Sequence, residues 1–146
     1  MPESVSTIGY GDTLEFSTDG GTNWTAITEL LKCDVPTTSV EKVERTHMGS
    51  PNRTNEYTPG MRDPNDVSFG FNFNGSDYAA IYALEAAGTV AEWRHTLSLN
   101  EGEATGAIYE YNGFVEIGGA PREVKGVTEV SATIKRTGAA VFTAAT

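Results

Sequence analysis

Residues 45–73 read RTHMGSPNRTNEYTPGMRDPNDVSFGFNF. Two opposite signals meet inside this stretch. From Val67 onward the residues alternate, with Val67, Phe69, Phe71 and Phe73 on one side and Ser68, Gly70, Asn72 and Asn74 on the other. Period-two alternation is the signature of a half-buried β-strand. Before Val67, the residues Pro51, Pro59, Pro64, Gly49 and Gly60 interrupt every regular pattern. Proline removes a backbone donor and fixes φ, so the sequence predicts a loop over 47–66. Loops of that length in a compact domain usually serve a function.

Working outward, most of the chain reads as strand. DTLEFSTDGGTNWTAIT (12–28) predicts two strands about a tight turn at Asp19-Gly20-Gly21. A further strand is expected over about 38–46. After the Phe-rich strand, SDYAAIYALEAAG (76–88) predicts a helix. Ser76 or Asn74 can cap it, Asp77 suits its first turn, and Gly88 suits the left-handed residue after its last. Ala80, Ile81, Leu84 and Ala87 form the expected buried stripe. VAEWRHTLSL (90–99) alternates again, placing Ala91, Trp93, His95, Leu97 and Leu99 on one face. GAIYEYNGFVEIGG (106–119) reads as a strand interrupted at Gly113, and GVTEVSATIKRTG (126–138) as a strand with Val130, Ala132 and Ile134 inward. Residues 1–11 read as a flexible N-terminal arm and 139–146 as a tail without signal. About seven strands and one helix predict a mainly β domain, a β-sandwich or partly open barrel flanked by the helix, with a long loop arm.

The 146 residues suit one domain, 1–146, and 38% hydrophobic with 21% charged residues predicts a folded chain. The net charge is −10, from 20 acidic and 10 basic residues, so the basic footprint that grips phosphates is missing. With Cys33 as the single cysteine no internal disulfide forms, and a reducing compartment is expected. MPESVSTIGYGD has neither the basic start nor the apolar run of a signal peptide. No segment approaches the roughly 20 apolar residues of a membrane helix, so no membrane insertion is expected.

Catalytic chemistry has little to stand on. His47 and His95 lack metal-ligand spacing, and His95, on an apolar strand face, reads as a core or interface histidine. Cys33 reads as a structural thiol. Asp63-Pro64-Asn65-Asp66 reads as an Asx-stabilised turn rather than a calcium site. The carboxylates are scattered, so no acid/base couple stands out. The expectation is a protein that is not an enzyme and has no metal or cofactor. Within the loop, Met48, Tyr57 and Met61 stand beside prolines, which points to docking on another surface, including a second copy of the chain.

The loop and the strand after it resemble the tail tube (major tail) proteins of lambda-like siphophages. The resemblance rests on Val43, Thr46, His47, Ser50, Pro51, Glu56, Tyr57, Pro59, Gly60, Asp63, Val67, Ser68, Phe69, Asn72 and Phe73, and extends over most of residues 9–138. It implies a structural subunit of hexameric rings stacked into a tube, through which DNA passes on ejection without specific binding. It places the subunit in a virion tail assembled in the bacterial cytoplasm, beside tape-measure, distal-tail and tail-terminator proteins. It assigns the loop, through Met48, Pro51, Tyr57, Pro59, Met61, Arg62 and Asp63, to contacts with a neighbouring subunit. The bore is expected to be lined by a polar strand face. The candidates are the faces carrying Ser68 and Asn72, and Glu129, Ser131, Thr133 and Lys135. The C-terminal immunoglobulin-like domain of some relatives is not expected. Two alternatives accompany this reading. One is a tube in a gene transfer agent or another phage-derived particle. The other is a small carbohydrate-binding β-sandwich using Trp24, Trp93, Tyr109 and Tyr111 as a stacking platform.

Overall fold

A computed structural model describes residues 10–99 and 103–146; of the expected arm over 1–11, residues 1–9 lie outside the described residues. Seven strands form one antiparallel sheet: β1 (Thr13–Ser17), β2 (Thr25–Ala26), β3 (Leu30–Cys33), β6 (Val67–Asn72), β7 (Ala91–Thr96), β8 (Ile108–Gly119) and β9 (Glu129–Thr143). Their order is β2-β1-β7-β8-β9-β6-β3. Two more, β4 (Thr38–Glu44) and β5 (Tyr57–Pro64), pair only with each other. The helix α1 spans Gly75–Ala87.

The long strands β8 and β9 make the sheet curl. The first half of β8, to Gly113, pairs with β7, while its second half pairs only with β9. The first half of β9 pairs with β6, through Val67↔Ile134 to Asn72↔Glu129. At the change-over Asn112 pairs with Thr137 but Glu110 pairs with Val141, so three residues of β9 bulge opposite one of β8. Gly138 takes a φ of 76° within that bulge. Bulges bend a sheet, and this one folds the two halves over a common interior. Gly113 lies at the same corner: a Cβ there would stand 2.7 Å from both Ile134 Cγ2 and the Lys135 carbonyl oxygen. Glycine at this position therefore permits the strand to run on, where the sequence suggested an interruption.

The expected inward faces fill the interior. Val67, Phe69 and Phe71 are buried, as are Val130, Ala132 and Ile134, Leu14 and Phe16, and Ala91 and Trp93. Trp93 joins the halves, its ring centroid 5.4 Å from Phe16 and 5.8 Å from Phe69. Its indole N–H donates to the Gly113 carbonyl at 3.1 Å, which satisfies a buried donor. The helix closes the open side with Ile81 and Leu84; Asn74 caps it and Gly88 ends it at φ 64°. Ala87 is exposed, and Asp77 is buried in its stead, accepting from the Thr28 backbone and hydroxyl and from Asn74. Leu97 and Leu99 lie past the end of β7, and Leu99 is exposed.

Two expectations are corrected. The tail from 139 is not featureless, because β9 continues to Thr143 by pairing with Ile108–Glu110. The stretch 47–66 is not all loop, because Tyr57–Pro64 is strand β5, in register with β4 from Thr38↔Pro64 to Glu44↔Tyr57. A two-stranded ribbon has one free edge on each strand, so prolines with no N–H are tolerated there. The connection proper is 45–56, with a single 3₁₀ turn at Pro51–Arg53.

Candidate assembly surface

The β4–β5 ribbon is an arm. Every residue of β4 is exposed, and no residue of β5 is fully buried. Cross-strand pairing sorts its side chains into two faces. One carries Val40, Lys42, Tyr57, Pro59 and Arg62; the other carries Val43, Thr58 and Asp63. Met61 stands with Gly60 in a bulge opposite Glu41 and is exposed. Lys42 Nζ lies 3.6 Å above the Tyr57 ring. The sequence-predicted residues Tyr57, Pro59 and Arg62 thus share a face, Asp63 lies behind it, and Met48 and Pro51 lie at the tip.

The tip is held by its own hydrogen bonds. Ser50 Oγ donates to Glu56 Oε2 (3.0 Å) and accepts from the His47 N–H (3.0 Å), while His47 Nε2 lies 3.5 Å from the same carboxylate. Thr46 Oγ1 accepts from the Glu56 N–H. Asn52 and Arg53 both adopt left-handed backbone, φ 57° and 56°. That conformation is strained for a long side chain and persists only where the surroundings enforce it.

The root of the arm rests on Arg136. Its Nη1 donates to the Thr37 carbonyl at 2.6 Å and to the Asn65 carbonyl at 3.4 Å. Arg136 is 7% exposed, and burial pulls its guanidinium below the ordinary value. Its signal is present in the sequence: continuing the inward alternation Val130, Ala132, Ile134 places a charge at the next inward position. Asn65 closes the turn after the arm: its Oδ1 accepts from Ser39 Oγ and its Nδ2 donates to Thr37 Oγ1. Among the described residues no group of His, Cys, Asp and Glu could hold a metal ion.

The six predicted bore residues come together. Ser68 pairs with Thr133 and Asn72 with Glu129, and Thr133 pairs on with Glu116. Ser68, Asn72, Glu129, Ser131, Thr133 and Lys135 therefore share the face turned away from the core, on the four-stranded half β8-β9-β6-β3. The cations of this face are paired, Lys135 with Glu116 at 2.7 Å and Lys32 with Glu129 at 3.5 Å. The hydrogen bond that Lys135 donates to the Glu116 carboxylate raises the Lys135 pKa. This half ends in two open strands: β3 on one side and the second half of β8 on the other.

The remaining sequence candidates are His95, Cys33 and the four aromatics. His95 is buried, its Nε2 3.1 Å from Asp12 Oδ2, and Asp12 Oδ1 accepts from the Ser98 N–H. Burial pushes the Cys33 thiol up to about 12, which removes the thiolate at neutral pH. Trp93 and Tyr111 are core residues, and Arg94 stacks on Trp24, so the four aromatics form no shared exposed platform.

No protein-family model and no curated protein matches the chain. Solved structures do. A chain of the six-fold symmetrised anti-feeding prophage baseplate matches with a TM-score of 0.72 at 11% identity, over 97% of this chain and 98% of that one. A chain from the tail of an empty gene transfer agent particle, refined with C6 symmetry, matches with 0.70 at 18% identity, over 95% and 100%. A chain of the SPP1 tail tube matches with 0.66 at 14% identity, over 95% and 80%. The chain therefore has the fold found in phage-type tail tubes.

Proposed function

We propose that this chain is the structural subunit of a phage-type tail tube. It assembles into six-membered rings that stack, and DNA crosses the bore during ejection. The observation that carries the reading is the near full-length likeness to chains from baseplate, tail and tail-tube assemblies, two of them described as six-fold. The local geometry supports it. Ring closure is heterologous association, in which one patch of each copy meets a different patch of the next. The arm and the open edges of the four-stranded half offer such unlike patches.

In this reading the polar face of that half lines the bore, through Ser68, Asn72, Glu129, Ser131, Thr133 and Lys135. Its lysines are neutralised by glutamates and the chain is net acidic, so phosphates find no grip and DNA slides. The arm residues Met48, Pro51, Tyr57, Pro59, Met61, Arg62 and Asp63 contact a neighbouring copy. The role is structural rather than enzymatic, in a virion tail assembled in the bacterial cytoplasm, with tape-measure, distal-tail and tail-terminator proteins as partners. A gene transfer agent tail is the second reading, favoured by the likeness to that particle's tail.

Negative-stain microscopy of the purified protein tests the proposal. Rings or tubes are expected from the intact chain, and folded non-polymerising protein from a chain whose residues 46–55 are replaced by a short turn. A chain that stays monomeric at high concentration by light scattering contradicts the reading.

A further inference from the structure

Beside the arm's root lies a cleft of about 460 Å³, between the ribbon and the bulged end of β9. Its walls include Pro36, Pro64, Arg62, Tyr109, Phe142 and Arg136. Arg136 carries an unmet demand. Its Nη1 is used at the arm's root, but Nε and Nη2 are buried without a hydrogen-bond partner among the described residues. Buried donors left unpaired are uncommon in native proteins and costly, more so on a charged group. Arg62 adds a second guanidinium at the cleft, with no ion pair or hydrogen bond from its side chain among the described residues. Tyr109 and Phe142 pack with their ring centroids 4.9 Å apart and their planes tilted by 41°, and form an apolar wall. Along the same wall, β9 beyond its bulge pairs with β8 on one edge and, among the described residues, with no strand on the other.

We propose that this cleft receives an extended, carboxylate-bearing segment of a second copy of the chain. The carboxylate meets Arg62, which is exposed at the cleft, with the buried positive charge of Arg136 behind it, and the segment's backbone lies along the open edge of β9. The Arg62 fork matches a carboxylate and the pairing is charge-assisted. The prolines and the paired aromatics suit an extended polypeptide rather than a lone anion. The occupant follows from charge: the chain carries 20 acidic residues against 10 basic ones, and Glu123, in the connection over 120–128, is exposed without an ion pair among the described residues. The inference rests on the self-assembly proposed above and names the acceptor side of one contact.

The test uses the full chain assembled from a mixture of isotopically heavy and light copies, with Phe142 replaced by a photo-crosslinking benzoylphenylalanine. Heavy–light cross-links into a peptide containing Asp or Glu are expected. Arg62→Glu is expected to raise the concentration needed for assembly at least about tenfold, with an unchanged urea midpoint, and Arg62→Lys to lose much less. Tubes that form normally in Arg62→Glu, with cross-links only within one copy or only into uncharged peptides, overturn this inference and leave the tube reading standing. Failure of the wild-type chain to form rings overturns both.

Discussion

Strands β5 and β6 are separated by two residues and have opposite lives. β6 reads VSFGFN, is hydrogen-bonded on both sides and buries Val67, Phe69 and Phe71. β5 reads YTPGMRDP, pairs on one side only and contributes nothing to the core. One is held by packing, the other by pairing with β4 and by the arginine at its root. The proposed tube thus assigns assembly to a part of the chain adjacent to, but separate from, the part that carries stability.

The sharpest way to break this comparison is to truncate one aromatic in each strand. Phe69→Ala empties a site that is 1% exposed and is expected to cost about 3–5 kcal/mol in urea denaturation. Tyr57→Ala is expected to shift the same curve by about 0.5 kcal/mol or less, yet to impair tube formation by microscopy. A large stability loss in Tyr57→Ala would mean that the arm belongs to the body after all.

Next in size is the corner that lets the body curl. Gly113→Ala places a methyl group against the Ile134 side chain and the Lys135 carbonyl and is expected to cost about 1–3 kcal/mol. The loss of Trp93 fluorescence on unfolding reports it. A neutral outcome would mean that the two halves are less tightly closed.

A smaller effect lies in the turn between β1 and β2. Hydrogen bonds from the Asn23 backbone, Ser17 and the Asn23 side chain lower Asp19 from 3.8 to about 2. A carboxylate depressed by folding stabilises fully above its unfolded value and loses that contribution as pH falls through the folded one. Acid titration between pH about 4 and about 2 should therefore weaken the wild type more than Asp19→Asn, read at Trp24. Equal acid sensitivity would remove Asp19 from the account. Least visible is Cys33: with its thiol near 12, labelling in the native protein should run about a hundredfold or more slower than in urea.

The body was largely legible because its signals are local and agree. The Phe-rich alternation, a cap at Asn74 or Ser76 with Gly88 at the other end, and the Asp-Gly-Gly turn each name an element, and β6, α1 (capped by Asn74) and the β1–β2 pair follow. The arm was legible as a place but not as a structure. Pro59, Gly60 and Pro64 argue against a strand anywhere that both edges must bond, and nothing local announces that β5 has only one partner. Val40, Lys42 and Val43 were missed as arm residues for the same reason, since their faces are defined by register with β5.

Composition and alternation alone determined that this is a mainly β chain with one helix, a net acidic charge and a polar, proline-rich segment before the Phe-rich strand. Periodicity sets which side of a strand is apolar, and that is a property of neighbours in sequence. The tertiary structure decided that β8 and β9 bend at Gly113 and Gly138, that six polar residues from β6 and β9 form one face, and that Arg136 reaches 99 residues back to the root of the arm. Those facts depend on which strands pair and where they bulge, and pairing between distant segments leaves no mark on either segment read by itself.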